Sequence, residues 1–329
     1  MQELSAQQWF GLFRLRSEVF VVEQDCVYLD MDHKDASSIH LGALEDSGSL
    51  GDAAAAIVRL VPPGISYAEP SIGRVAIGLP YRGTGLGVEL MERAIRSCER
   101  RWPFQAIRIS AQEYLIGFYQ RLGFQVIGES YLEDNIPHIE MLKPACDWVQ
   151  LRLEWEAAAS DFEEVLRRLD PTALNGDASD WGGLQVLEHL RISEKGMWGY
   201  LEKKSQAEPT SLPLLDLESD ERGWRLLVAL ASDRRWKDPT PQAALTPKHG
   251  SALNTVDSSL RAWRASHQQA FERCESSFER DVWWTVQVFN HPLAGRISLA
   301  DTLRFGAAHI RHHIHQLNRL NSKETPRTA

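Results

Sequence analysis

Cysteine is scarce in this chain: four in 329 residues, Cys26, Cys98, Cys146 and Cys274, with no Cys-x-x-Cys pair among them. That spacing excludes a zinc ribbon and a disulfide framework, and it fits a reducing compartment. No apolar run approaches the roughly 20 residues that a bilayer-spanning helix needs. The start, Met1-Gln2-Glu3, has neither the basic opening nor the apolar core of a signal peptide. A cytoplasmic protein with no membrane partner is expected. Positive charge is also in deficit, with 36 basic against 45 acidic residues and a net charge of -9. This repels a phosphate backbone at long range and argues against nucleic acid as a partner.

What is present is an ordinary globular composition, 43% hydrophobic and 25% charged. The length calls for two domains. In residues 1–143 the pattern is mixed. A helical period over 4–20, carried by Trp9, Phe10, Phe13, Val19 and Phe20, precedes strand candidates at 39–44, 54–61 and 72–77. The turn signals Asp46-Ser-Gly and Pro62-Pro63-Gly64 separate them. A helix over 88–101, a strand at 106–109, a brief helix through Phe118 and Tyr119, and strands at 125–131 and 138–142 follow. Residues 144–329 change to long helical periods near 147–169, 184–203, 253–277 and 298–320. A proline-punctuated stretch with Pro209, Pro213, Pro239, Pro241 and Pro247 lies between the second and third, with room for a short helix near 221–232. No internal repeat is evident.

The sharpest motif is Arg82-Gly83-Thr84-Gly85-Leu86-Gly87. Its glycines let the backbone turn tightly and bring N–H groups to an anion where a helix begins. A dinucleotide-binding or purely structural turn would share that feature. The deep position of the preceding strand, the opening arginine and the missing Lys-Ser/Thr separate it from a Rossmann site and a P-loop. Arg82-x-x-Gly85-x-Gly87, followed downstream by Phe118-Tyr119-Gln-Arg-Leu-Gly123-Phe124, resembles the pyrophosphate signature and second element of the GNAT acetyltransferase superfamily. Leu15-Arg16-x-x-Val19-Phe20-Val21-Val22-Glu23-Gln24, Tyr28-x-Asp30-x-Asp32, His40, Ile72-Gly73-Arg74-Val75 and Ile136-Pro137-His138-Ile139 are similar to its ElaA branch. The likeness implies an α+β GNAT fold, a mixed central sheet flanked by helices, with acetyl-coenzyme A held by residues Arg82, Gly83, Thr84, Gly85, Leu86 and Gly87. Main-chain amides of Val75 and Ile77 would take the pantetheine arm, and an unidentified small-molecule amine would be the acceptor.

Acetyl transfer to an amine needs a polarised thioester, a neutral nitrogen and a proton for the departing thiolate. The resemblance assigns that proton to Tyr119, whose alternative is a core aromatic beside Phe118 and Phe124. Glu23, just after the first helix, is the candidate base, against a surface or capping role. Asp30 and Asp32 near His40 read as a solvated acidic turn, with a site for a cationic acceptor as the alternative, and His138 as a structural histidine.

In the second half, His309-Ile-Arg-His312-His313-Ile-His315-Gln316 crowds four imidazoles into two helical turns. At 100° per residue, His309 and His313 flank the apolar stripe of Leu299, Leu303, Ile310, Ile314 and Leu317, while His312 and His315 point nearly opposite. Residues four apart can converge on one transition metal. His189, beside Val186, Leu190 and Met197, is the leading third ligand, and His291 would cap or orient the last helix. Leu187-x-His189-Leu190, Phe289-Asn290-His291-Pro292-Leu-x-Gly295-x-Ile297-Ser298-Leu299 and His309-x-x-x-His313-x-x-Gln316 resemble the DinB superfamily. This implies an all-α four-helix bundle holding a divalent metal on three histidines, zinc by default, with nickel or iron equally suited to imidazole. The whole reads as an N-acetyltransferase fused to a metal-binding bundle. The alternatives are a metal-dependent thiol transferase or hydrolase centred on the bundle, and a non-catalytic bundle serving the acetyltransferase. Oligomeric state is not encoded in any pattern found here.

Overall fold

The computed structural model describes residues 4–44, 54–176, 181–231 and 255–322. The Asp46-Ser-Gly turn, the stretch holding Pro239, Pro241 and Pro247, and the predicted helix ends at Ser232 and Leu253 lie outside them. The chain divides into two compact units, Met1–Cys146 and Asp147–Ala329.

The first unit opens with α1 (Ala6–Arg16), started by a capping box in which the Ser5 hydroxyl accepts from the Gln8 N–H and the Gln8 side chain from the Ser5 N–H. The helix then widens into a π-helical turn, Ser17–Glu23. The sequence period over 4–20 missed this widening, which brings Val19, Phe20 and Glu23 to one cleft.

Strands β1 (Ile39–Leu44), β2 (Ala54–Val61), β3 (Ser71–Ile77), β4 (Ile107–Gln112), β5 (Gln125–Val126), β6 (Tyr131–Glu133) and β7 (Ile136–Lys143) form one sheet, ordered β1-β2-β3-β4-β7-β5 with β6 also on β7. The strand expected at 125–131 is therefore two short ones, parted at Gly128 (φ 80°). A two-residue turn at Asp134 and Asn135, both at positive φ, returns the chain into β7. The Asp-Asn pair suits the left-handed turn that a tight hairpin requires. Helices α2 (Leu86–Arg101) and α3 (Ile116–Arg121) cover one face of the sheet. The stripe Leu90, Met91, Ala94, Ile95 and Cys98 lies buried there against Val58, Ile72 and Ile109. On the other face, Leu12, Leu15 and Val19 pack on Ile57 and Ala76.

All strand pairs are antiparallel except β3 and β4, which meet only at Ser71 and Arg108 and then part. On its other side β3 bulges. Gly73 faces Arg59 and Ala76 faces Ile57, so Arg74 and Val75 stand opposite the single residue Val58, and Arg74 takes φ 52°. Parting and bulge together open a gap at the centre of the sheet.

The second unit is helical. Helices α4 (Trp148–Arg167), α6 (Gly183–Ser205), α8 (Val256–Phe278) and α9 (Leu299–Ser322) are its long members, with α5 (Pro171–Asn175) and α7 (Leu217–Ala231) between them. Helix α4 packs on α9 and α8, and α6 on α8 and α9. Trp148, Trp155, Trp263 and Trp283 are fully buried at the centre. Gly306 makes room for one of them, since a Cβ there would stand 2.0 Å from the Trp155 ring. The purely helical expectation needs one correction. Residues Gln287–His291 and Gly295–Ser298 form an antiparallel hairpin, β8 and β9, because Gly295 supplies φ 70° for the reversal and Val288, Phe289 and Ile297 bury their side chains. Among the described residues no helix is long and apolar enough to cross a membrane.

Candidate active site and histidine centre

The gap between β3 and β4 is the floor of a cleft of about 570 Å³. Its rim is the loop Arg82 to Gly87, exposed at Arg82, Gly83, Thr84 and Gly85. Gly83 (φ 77°) and Gly85 (φ 95°) adopt the left-handed backbone that any Cβ would strain, and α2 begins at the next residue. The Thr84 hydroxyl donates to the Tyr81 carbonyl at 2.7 Å, which stiffens the turn. The first N–H groups of a 16-residue helix therefore face an open cleft, where an anion satisfies both the unpaired donors and the helix dipole.

On β3 the Gly78 N–H donates to Ala55 at 2.8 Å, so strand alternation turns the Ile77 peptide groups toward the gap. Val75 lies in the bulge, without a register partner on β2. Both residues line the cleft.

Tyr119, on α3, lines the same cleft while only 7% exposed, ringed edge-on by Phe118 and Phe124. Burial pushes its hydroxyl up to about 12. It therefore keeps its proton at neutral pH and is a core aromatic that also lines the cleft wall. Glu23 lines the cleft too, but it grips Arg82 through two bonds of 2.7 Å. The hydrogen bonds from Arg82 hold this carboxyl below its ordinary range, which weakens it as a base in this arrangement.

Asp30 and Asp32 do not form a solvated turn. Buried Arg16 donates to Asp30 at 2.9 Å and to Asp35 at 2.7 Å, Arg59 to Asp32 and Asp35, and Arg74 to Asp30. Three arginines cancel three aspartates. Burial raises the Asp35 carboxyl, but hydrogen bonds from Arg16, the Asp32 N–H, Arg59 and His40 outweigh it and leave Asp35 well below the usual range. Burial holds His40 below its ordinary value despite Asp35. His138 donates from Nδ1 to the Ile136 carbonyl and stacks on Tyr131, in keeping with a structural role.

The far wall carries residues that the sequence reading passed over. Ser110 joins the Tyr131 hydroxyl at 2.6 Å and donates to Glu133 at 3.1 Å, with Tyr67 alongside. The signal was the alternation Arg108-x-Ser110-x-Gln112 against buried Ile107, Ile109 and Ala111, a strand with one polar face.

Residues 52–144 match the family described as "Acetyltransferase (GNAT) domain". The protein ElaA of Escherichia coli K12 is 37% identical over 141 residues, covering 43% of this chain and 90% of that relative. The first unit belongs to the GNAT acetyltransferases and is ElaA-like. Similar solved structures include an acyl-CoA N-acyltransferase of Pseudomonas aeruginosa, 40% identical with a TM-score of 0.40, and E. coli ElaA, 35% identical with a TM-score of 0.39. Each match covers 43% of this chain and 93% of the other. The GNAT unit is thus an acyltransferase domain, and the cleft with its loop lies within the matched residues except for Val19, Phe20, Glu23, Gln24, Cys26 and Tyr28, which precede residue 52.

In the second unit the three histidines singled out from sequence meet. His189 Nε2 lies 3.3 Å from His309 Nε2, which lies 3.1 Å from His313 Nε2, and the three ligand nitrogens fall within 4.8 Å of one another. Trp181 leans on His189 and Phe305 stacks on His309. His313 Nδ1 donates to Gln316 Oε1 at 2.8 Å, which leaves the Nε2 lone pair directed at its neighbours. Burial, with the repulsion of the other imidazoles, lowers His309 far below its ordinary value, and burial takes His313 to about 3. His291 does not cap the last helix. Its Nδ1 accepts from the Leu293 and Ala294 N–H groups and closes the β8–β9 turn, while the Ser298 hydroxyl accepts from Asp301 N–H at the start of α9.

Proposed function

We propose that the GNAT unit transfers an acetyl group from acetyl-coenzyme A to a small-molecule amine. The observation that carries this reading is that one cleft joins an open helix-N-terminal glycine loop to a buried, protonated tyrosine. The N–H groups of Gly83, Thr84, Gly85, Leu86 and Gly87, with Arg82 beside them, would bind the diphosphate. Val75 and Ile77 would pair with the pantetheine amides. The amine lone pair attacks the thioester carbonyl carbon and the C–N bond forms. The C–S bond then breaks with its electron pair going to sulfur, and the Tyr119 hydroxyl gives the thiolate its proton. The nitrogen's surplus proton leaves to a base or to water, and solvent restores Tyr119. Glu23 serves as that base only once Arg82 has been drawn from it, and the incoming diphosphate is a fitting competitor for the guanidinium. Acetyl-coenzyme A-dependent thiol release with a panel of amines, alongside the thermal shift given by the donor, tests the reading. A saturating donor that neither stabilises the protein nor yields thiol would remove it.

For the second unit we infer a DinB-type four-helix bundle with a divalent metal on His189, His309 and His313. Tetrahedral nitrogen ligands at about 2.0–2.1 Å from a zinc ion stand roughly 3.3 Å apart, close to the spacings here. Burial holds His309 and His313 neutral, the state in which an imidazole nitrogen offers a lone pair to a cation. A bound ion would leave a coordination position for water or substrate and act as a Lewis acid. Zinc is favoured, with nickel or iron open. Metal analysis of the purified protein decides the point, since a metal-free protein that also takes up none on titration would reduce the cluster to a neutral core feature. A cytoplasmic setting accords with four buried cysteines that form no disulfide.

A further inference from the structure

A β-bulge whose first residue takes the left-handed conformation ordinarily carries glycine there, because glycine has no Cβ to crowd the backbone. In β3 that first residue is Arg74, at φ 52°, set with Val75 against the single residue Val58. A glycine stands next door and does not serve the purpose. Gly73 is not left-handed, and a Cβ on it would meet no atom within 4 Å. The chain thus bears the left-handed strain on an arginine, and a side chain kept at such a position is kept for its contacts.

Those contacts are specific. The Arg74 Nε donates to Asp30 Oδ1 at 2.9 Å. Asp30 is itself fixed, since fully buried Arg16 donates from Nε to the other carboxylate oxygen at 2.9 Å and from Nη2 to the Asp30 carbonyl at 2.8 Å. The guanidinium carbon of Arg74 lies 5.6 Å from the centre of the Phe20 ring and 5.3 Å from that of Tyr28, within reach of a cation–π contact. Arg74, Phe20 and Tyr28 all line the cleft. One side chain therefore joins the bulge both to a buried ion pair and to the wall that the π-helical turn and its following loop supply. The bulge is also where the sheet opens, because β3 meets β4 only at Ser71 and Arg108 and Val75 has no register partner on β2. A change of conformation at residue 74 re-aims the peptide groups on either side of it.

We propose that Arg74 is a positioning residue for acetyl-coenzyme A: anchored by Asp30, Phe20 and Tyr28, it fixes the β3 bulge and with it the main-chain groups of Val75 and Ile77 that take the pantetheine arm. This rests on the acetyltransferase reading above. Arg74 acts through the backbone and needs no contact with the reacting atoms.

Isothermal titration of the full chain with two ligands tests the role: acetyl-coenzyme A, and 3′-phosphoadenosine 5′-diphosphate, which carries the same nucleotide and diphosphate without the pantetheine arm. Arg74→Gly leaves the left-handed backbone permitted and removes the anchor. It should weaken acetyl-coenzyme A about tenfold, the worth of roughly two hydrogen bonds, and leave the nucleotide unchanged. Tyr28→Leu takes away one face of the guanidinium contact and should act in the same sense by about threefold. An equal loss for both ligands in Arg74→Gly would make Arg74 a residue of the fold alone, and an undiminished affinity for acetyl-coenzyme A would show that the bulge holds itself. Either result overturns the inference while the donor reading stands. Where Arg74→Gly does not fold, Tyr28→Leu decides by the same two criteria. Failure of the unaltered chain to bind acetyl-coenzyme A would strike the acetyltransferase reading first, and this inference with it.

Discussion

The two units solve one problem, polar side chains inside a packed core, in opposite ways. In the GNAT unit buried charge meets buried charge, with Arg16, Arg59 and Arg74 set against Asp30, Asp32 and Asp35. In the helical unit, apart from the buried His267–Glu194 pair, His291 and His313 are buried and His309 half-buried with no carboxylate bonded to these three among the described residues, and burial holds all three neutral. The first arrangement pairs its ions with one another, and two of them, Arg59 and Arg74, also line the cleft. The second keeps lone pairs free, the state a metal ion requires. The lesson is that buried polar groups are settled by their partners, and that the missing partner names the ligand.

The largest effect belongs to the cleft. Tyr119→Phe should lower kcat about 10²- to 10⁴-fold while the thermal shift with acetyl-coenzyme A persists, because a lost general acid slows the thiolate's departure and leaves the diphosphate loop intact. Retained turnover would make Tyr119 a packing residue only. Next comes the charge-paired core. Arg16→Ala removes the buried guanidinium shared by Asp30 and Asp35, leaving Arg74 on the first and Arg59 and His40 on the second, and should cost about 3–5 kcal/mol in chemical denaturation of the first unit. A loss under about 1 kcal/mol would show that water repairs the gap.

Acid should separate the units. His291 falls from 6.5 to about 4 on folding, so the unfolded chain binds the extra proton between those values. Stability is then present above pH 6.5 and lost as pH falls toward 4, by roughly 3 kcal/mol for this group alone. Asp35 has the same sense in a lower window, since its depressed carboxyl stabilises above its unfolded value of 3.8 and releases that stability only below it. Between pH 6.5 and 4 the helical unit, with three histidines lowered by burial, should therefore weaken more than the GNAT unit, where His40 alone has that shift among the described histidines. Tryptophan fluorescence reads this well, because nine of the eleven tryptophans follow residue 146. Loss of the donor-dependent shift before the fluorescence change would reverse the comparison.

Smaller effects sharpen it. Gln316→Leu removes the acceptor that orients His313 and should weaken metal binding about 10- to 100-fold, whereas His312→Ala should leave metal content unchanged. The smallest is Glu23→Gln, which frees Arg82. Acetyl-coenzyme A should then bind up to about fivefold more tightly, within the approximately 1 kcal/mol of an exposed ion pair. A fall in kcat in the same variant would support Glu23 as base, and weaker donor binding would contradict the exchange at Arg82.

Much of the site was legible. The glycine loop, the opening helices, most strands and the His309/His313 face follow from local signals. The bulge at Arg74 and the acidic turn at Glu133 and Asp134 did not, because neither disturbs the apolar pattern by which strands are recognised. The β8–β9 hairpin was hidden by its shortness and by its lying between long helical periods. Asp30 and Asp32 were misread as solvated because their arginines come from positions 14 to 44 residues away.

By itself the sequence determined the conformations that depend on near neighbours: left-handed glycines before α2, helical stripes, and imidazoles four apart on one face. Only the tertiary structure decided which distant groups meet, as Glu23 meets Arg82 across 59 positions and His189 meets His309 across 120. The reason is physical. Backbone preferences act over a few residues and leave their mark in spacing, whereas the pairing of charges and lone pairs is set by how the apolar faces pack, and that packing is a property of the whole chain.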